Sequence, residues 1–273
     1  MPTDSLTLAL WQTAYAASTA EALQRLDAVA MQARAQGADL LVTPEMALTG
    51  YAIGPERAAA LAEARDGPLA QAVAAIAQRH GIAIVYGYPE LNPGAKPFNA
   101  AQAIGPDGAS LAHYRKTHLF GELDRAQFSA GDAASTVFVC RGWRLGLLIC
   151  FDVEFPETVR LLALQGTEAV LVPTANMVPF DSVQRVLLPA RALENSLFLA
   201  YANACGHEAH AGGELVYNGL SCVLGPDGPA LGLSGAHEEL LVVTLDRSAL
   251  QHSRASSQLP GRRGGLYGPL ASH

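Results

Sequence analysis

Residues 144–157 read RLGLLICFDVEFPE, and this stretch decides the fold. Arg144–Ile149 is a short, nearly continuous apolar run of the kind that fills a buried strand. Pro156 then opens a helical run, Pro156–Gln165, with proline in the first turn, where its missing N–H leaves nothing unbonded. The chain must turn sharply between strand and helix, and Cys150 stands on that turn. A nucleophile placed there is held out from the sheet, and the backbone N–H groups just beyond it can point at a developing oxyanion. Free cysteine is also among the most buried residue types. Taken alone, Cys150 reads equally well as a core thiol.

Working outward, the same alternation recurs. Leu6–Trp11 reads as a strand, Thr19–Gln36 as a helix stopped by Gly37, and Leu40–Thr43 as a strand ended by Pro44. Leu69–Arg79 reads as a helix closed by Gly81, and Ile82–Tyr86 as a buried strand. Asn99–Ile104 and Ser110–Tyr114 flank the turn Gly105-Pro106-Asp107-Gly108, a hairpin signal echoed at Gly225–Gly228. Ala169–Val172, Leu197–Asn203, Gly219–Leu224 and Leu240–Leu245 read as strands, and Ser182–Asn195 as a helix. Strand–helix alternation with added hairpins predicts a layered α/β fold. One domain is expected over residues 1–259. Residues 260–273, rich in glycine and arginine, are expected as a tail, frayed or packed on a partner subunit.

Composition narrows the function classes. Of 273 residues, 50% are hydrophobic and 16% charged, enough apolar material for a sizeable core. A net charge of −7 with scattered basic residues leaves no footprint for nucleic acid. No apolar run approaches the roughly 18 residues of a membrane span, and the first residues lack the basic start of a signal peptide. A cytoplasmic protein is therefore expected. Cys140, Cys150, Cys205 and Cys222, widely spaced, are expected as free thiols.

Two further residues make chemical sense beside Cys150. Glu45 ends the strand LLVTPE, at the edge where α/β sites form, and a carboxylate buried there needs a partner. Lys116 follows another strand in YRKTHLFGE, flanked by aromatic and aliphatic residues that suggest partial burial. Its ammonium then demands a carboxylate or thiolate. A cation favours the thiolate form of cysteine, and a carboxylate can move the thiol proton to a leaving amine. Two rival sites are weaker. His118 would be the partner in a Cys–His pair, but the surrounding signature of papain-like enzymes is absent. His207 and His210 have HxxH spacing around Glu208, but solvated loop histidines explain them better than metal ligands. No metal or cofactor is expected. A non-catalytic binding protein on the same scaffold is a third reading, disfavoured because all three chemical residues are present.

The segments PEMALTGY, YRKTHLFGE and LLICFDVEFPE resemble the three signature regions of the nitrilase superfamily of carbon–nitrogen hydrolases, in order and over roughly Leu6–Leu245. The resemblance implies a four-layer αββα sandwich and a Glu–Lys–Cys triad: Glu45 as base and acid, Lys116 as oxyanion stabiliser, Cys150 as nucleophile. It also implies a second glutamate after the lysine motif, for which Glu122 fits, and assembly at least as a homodimer. IVYGYPE and VPTANMVPFD are similar to members that hydrolyse small linear amides such as 5-aminopentanamide, and to R-stereoselective amidases. Nitrile and N-carbamoyl substrates share the same chemistry. Tyr51, Phe151, Glu154, Asn176 and Met177 are expected to line the pocket, Phe151 through its N–H. Asp124, Glu154 and Glu122 are the candidates to meet a substrate ammonium.

Overall fold

Leu6, Leu8 and Leu10 pack into one core while Ala9 and Trp11 pack into another. This period of two makes the first strand, β1 (Ser5–Gln12), the wall between two hydrophobic layers. A computed structural model describes residues 3–210 and 212–268 of the chain. Its first half continues through α1 (Thr19–Ala35), β2 (Leu40–Val42), α2 (Pro55–Ala60), α3 (Pro68–His80), β3 (Ala83–Glu90), β4 (Phe98–Ile104), β5 (Ser110–Arg115) and α4 (Gly121–Gln127). The second half runs β6 (Thr136–Cys140), β7 (Trp143–Leu147), α5 (Pro156–Leu164), β8 (Ala169–Thr174), α6 (Leu188–Asn195), β9 (Phe198–Asn203), β10 (Cys205–His210), β11 (Gly213–Asn218), β12 (Cys222–Leu224), β13 (Ala230–Leu233), β14 (Glu239–Asp246) and α7 (Arg247–Ala255).

Two six-stranded mixed sheets result, ordered β14-β1-β2-β3-β4-β5 and β13-β12-β9-β8-β7-β6. Each has a parallel centre, β1-β2-β3 and β9-β8-β7, with antiparallel strands outside it. The two Gly-Pro-Asp-Gly turns close equivalent hairpins, β4–β5 and β12–β13. In both, the last glycine N–H donates to the first glycine carbonyl at 2.9 Å. Helices α1 and α3 cover the outer face of the first sheet, packing Leu26, Val29, Val73 and Ile76 on Leu41, Ile84 and Tyr86. Helices α5 and α6 cover the second sheet through Val159, Leu162, Leu188 and Ala192. The inner faces meet in one apolar layer that includes Leu8, Val42, Val85, Leu145 and Leu147. This is the expected four-layer αββα sandwich in a single domain.

Several local expectations need correction. Ser182–Asn195 is not one regular helix: Val183–Leu187 is a π-helical turn before α6. Pro189 supplies the reason, because it has no N–H to bond the carbonyl four residues back. The strand expected over Gly219–Leu224 is only β12, since Gly219 and Leu220 both adopt positive φ. The segment around His207 and His210, expected as a loop, instead supplies the paired antiparallel strands β10 (Cys205–His210) and β11 (Gly213–Asn218). Of the expected tail, residues 260–268 are mostly exposed and carry short 3-10 turns; 269–273 lie outside the described residues. No helix among the described residues is long and apolar enough to cross a membrane.

Candidate active site

Three strands of the two sheets end at one edge. β2 runs out through Thr43 and Pro44 to Glu45, β5 delivers Lys116, and β7 leads to Cys150. The sheets are tied there by a backbone bond, Glu45 N donating to Thr174 O at 3.2 Å. Gly87 permits the close packing behind Glu45: a Cβ at residue 87 would sit 2.5 Å from Met46 N and 3.2 Å from Glu45 Cα. Tyr15 Oη donates to the Glu45 carbonyl at 2.8 Å.

Glu45 and Lys116 are fully buried. Lys116 Nζ donates to Glu45 Oε1 at 2.8 Å and to Asp124 Oδ2 at 2.6 Å. Asn99 Nδ2 donates to the same Glu45 oxygen at 2.6 Å. The other oxygen, Glu45 Oε2, has no partner, nor have Asn99 Oδ1, Asp124 Oδ1 and Thr174 Oγ1. Buried polar atoms are nearly always bonded, yet four of the eight unpartnered buried side-chain atoms among the described residues belong to this one site.

Cys150 is 9% exposed and has φ of +45°, a left-handed conformation unusual for a residue with a side chain. It begins a one-turn 3-10 segment, Cys150–Glu154. The Phe151 N–H lies in its first turn, where helical donors lack intrahelical acceptors. Asp152, fully buried, clamps this turn to the lysine loop: it accepts from Thr117 Oγ1 at 2.8 Å, His118 N at 2.9 Å and Tyr114 Oη at 3.1 Å.

The electrostatics are those of one cation between two carboxylates. Burial alone would lower the Lys116 pKa, but Asp124 and Glu45 hold it well above the ordinary lysine value. Burial raises the Glu45 carboxyl above the ordinary range, against the pull of Lys116. Burial and then the Glu45 charge push the Cys150 thiol up, outweighing Lys116. Cys150 therefore rests as a thiol, and attack by sulfur has to be coupled to removal of its proton.

The structure thus brings Glu45, Lys116 and Cys150 together. Glu122 must be corrected: its side chain is 88% exposed and pairs with Arg125, not Lys116. Asp124 takes the place beside the lysine, because residues two apart on α4 point to different faces. Tyr51 is buried with its ring 5.7 Å from Lys116 Nζ. Phe151 packs edge-on against Phe120 at 5.4 Å, and Glu154 is half-buried. Asn176 has its amide committed to Phe180 O and Gln184 Oε1 at 3.0 and 2.9 Å, so it shapes the loop. Met177 joins Met46, Tyr51 and Tyr217 in a small apolar cluster.

The rival pairings dissolve. His118 Nδ1 lies 2.8 Å from Asp152 Oδ1 and its ring stacks on Phe155, so Asp152 holds it. His207 pairs at 3.2 Å with Glu214 across the hairpin, and among the described residues no group of three His, Cys, Asp or Glu side chains could hold a metal ion. Glu208 has a different task. It accepts from Tyr51 N at 3.0 Å, Ala52 N at 2.9 Å and Tyr217 Oη, fixing the loop that follows Glu45.

Comparison with known proteins finds a matching family and several relatives. The carbon-nitrogen hydrolase family matches residues 7–255. A protein of Pseudomonas protegens described as a hydrolase in the pqqF 5' region is 52% identical, over 91% of this chain and 86% of its own. An (R)-stereoselective amidase of a Pseudomonas species is 39% identical, over 86% and 83%. The crystal structure of an amidase from Nesterenkonia sp. superposes with a TM-score of 0.83 at 37% identity, covering 97% of this chain and 96% of that one. A glutamate-to-glutamine mutant of the Nesterenkonia sp. AN1 amidase carries the acetamide moiety of fluoroacetamide on its active site cysteine.

Proposed function

The chain belongs to the carbon–nitrogen hydrolase family and is a hydrolase acting on amides, and we propose that its substrate is a small linear amide, 5-aminopentanamide or a similar aliphatic amide, converted to the carboxylic acid and ammonia. The observation that carries this reading is the buried Glu45–Lys116–Asp124 network beside Cys150, with Glu45 Oε2 left unpartnered.

In the proposed mechanism Glu45 accepts the thiol proton as Cys150 Sγ attacks the amide carbonyl. Lys116 Nζ and the Phe151 N–H hold the oxyanion. The C–N bond breaks as Glu45 returns the proton to the departing nitrogen, releasing ammonia and leaving a thioester on Cys150. Glu45 then takes a proton from water, whose oxygen attacks the thioester. The C–S bond breaks, the acid leaves and the thiol is restored. Asp124 keeps Lys116 charged and in place throughout, which supports reading it as the second carboxylate of the site. Tyr51, Phe151 and Met177 form the pocket wall.

A second reading, hydrolysis of an R-configured amide, is favoured by the 39% identical (R)-stereoselective amidase. Ammonia release separates the two, measured on 5-aminopentanamide, simple aliphatic amides, both enantiomers of cyclic amino-acid amides, N-carbamoyl amines and nitriles. The linear amides are expected to give the highest kcat/KM, with an acyl adduct on Cys150 in quenched mass spectra. Preference for a nitrile or carbamoyl compound, or a large enantiomeric ratio, overturns the substrate assignment. The same reading carries a cytoplasmic setting and a homodimer or larger homo-oligomer with the 260–273 tail at its interface. Light scattering of the chain truncated before Pro260 tests the interface.

A further inference from the structure

Resting on the amidase reading, we propose that Glu154 is a specificity-determining residue: it selects amides whose acyl chain ends in an ammonium group. Glu154 is the last residue of the 3-10 segment that Cys150 begins. From Phe151, whose N–H is the oxyanion donor of the proposed mechanism, three rises of about 2.0 Å carry the backbone roughly 6 Å to Glu154, the scale of a chain of four methylene groups between an amide carbonyl and an amine.

Three carboxylates follow the lysine and cysteine motifs closely enough to meet such an ammonium, and the structure separates them. Asp124 is spent on Lys116 Nζ and on the Phe120 N–H at 2.8 Å. Glu122 stands in solvent, paired with Arg125. Glu154 is half-buried, and among the described residues its carboxylate has no hydrogen bond and no ion pair. Arg191, whose charge reaches Glu154 as does that of Lys116, has its donors otherwise engaged. Its Nη2 donates to the Glu154 carbonyl at 2.7 Å, its Nε to the Val153 carbonyl at 3.3 Å and its Nη1 to Glu194 at 3.2 Å. Arg191 braces the backbone beneath Glu154 and leaves the carboxylate free.

The surroundings are aromatic. Phe155 follows Glu154 in sequence and Phe151 stands three residues, one 3-10 turn, before it; their rings meet edge-on at 5.1 Å. Phe151 also meets Phe120 at 5.4 Å, and Phe120 meets Phe180 at 5.7 Å. A carboxylate among aromatic rings attracts an ammonium by charge and by the ring quadrupoles. A neutral chain end would cover the carboxylate without pairing it, which is unfavourable, and an anionic end would be repelled. Burial already pushes the Glu154 carboxyl above the ordinary range, and an ammonium partner would relieve that cost.

The test compares kcat/KM for 5-aminopentanamide and hexanamide, which differ by an ammonium in place of a methyl group. The wild type is expected to favour 5-aminopentanamide by about tenfold or more. In Glu154→Gln that ratio should fall close to one, and Glu154→Lys should favour an amide ending in a carboxylate, such as glutaramate. Competitive inhibition of the wild type by pentylammonium, compared with pentanol, repeats the test without a substitution; the cation is expected to bind tighter. A ratio preserved in Glu154→Gln, or pentanol binding as well as pentylammonium, overturns the role of Glu154. Hydrolysis of both amides without preference by the wild type does so too, while leaving the amidase reading intact. No hydrolysis of any amide overturns the amidase reading itself, and this inference with it.

Discussion

Replacing Glu45 by glutamine tests the proton-transfer argument directly. The substitution keeps the shape and removes one charge. The amide oxygen of glutamine still accepts from Lys116 Nζ and Asn99 Nδ2, now 2.8 and 2.6 Å from Glu45 Oε1. Its NH2 group falls where the unpartnered Oε2 stands. Lys116 keeps Asp124 at 2.6 Å, so the fold is expected to survive with a Tm near that of the wild type. The base is lost, and general-base catalysis is worth about 10²–10⁴ in rate, roughly 3–5 kcal/mol of barrier. The thiol responds in the opposite sense. Burial and the Glu45 charge both raise its pKa, so removing that charge should lower it. Ammonia release should therefore fall at least about a hundredfold, while the pH midpoint for iodoacetamide alkylation of Cys150 moves down. Turnover within a factor of a few of the wild type, or an alkylation midpoint that moves up, would falsify the coupling of Glu45 to the thiol.

Three other perturbations follow from contacts in and around the site. Gly87→Ala places a methyl group 2.5 Å from Met46 N, where only backbone can yield; activity should drop about a hundredfold from the displaced Glu45, and unchanged kcat/KM would show that the close approach is immaterial. Glu208→Ala removes the acceptor of the Tyr51 and Ala52 N–H groups and of the Tyr217 hydroxyl; a loss of about 2–4 kcal/mol in urea unfolding is expected, with a rise in KM, and an unaltered midpoint would refute it. Glu90 is held at about 2 by its bonds to Arg115 and His113, which overcome the opposing effect of burial. Its folded pKa lies below the ordinary value, so its contribution, on the order of 3 kcal/mol, is complete above pH 4.5 and lost as the pH falls toward 2. The stability gap between wild type and Glu90→Gln should close over that window, and a gap independent of pH would contradict the assignment.

What the sequence made legible is what lies on single elements. Cys150, Glu45 and Lys116 were readable because each closes a short apolar strand and stands in a distinctive local motif. The confusion of Glu122 with Asp124 has a local cause. Helix α4 begins at Gly121 after Phe120, with no side-chain cap to mark its start, so the phase that turns Asp124 inward and Glu122 outward was invisible. Glu208 was hidden differently. Its partners Tyr51 and Ala52 lie more than 150 residues away, and GHEAH lacks the apolar alternation that announces a strand, because this hairpin is half exposed. Asn99 lies outside the quoted motifs, and Asp152, though inside LLICFDVEFPE, has nothing local that gives it a task; only the meeting of strand ends makes them part of the site.

That meeting explains why the site needs both sheets. Glu45, Asn99 and Lys116 belong to the first sheet and its exits, while Cys150, Asp152 and Thr174 belong to the second. Neither half has a use for its buried groups alone: Glu45 without Cys150 is a costly carboxylate, and Cys150 without Glu45 is an inert core thiol. The polar cross-links at this edge include Glu45 N to Thr174 O and Asp152 to Tyr114 and the 117–118 loop. The apolar layer between the sheets supplies the adhesion, and these bonds set the register at the edge. Burial, with the Glu45 charge added to it, then acts as a restraint. It favours the protonated thiol, so sulfur becomes nucleophilic only as a carbonyl arrives to accept it and Lys116 gains an oxyanion to hold. Reactivity is thereby tied to a bound amide, which leaves the choice of amide to groups beyond the reacting atoms, and on the proposal above to Glu154.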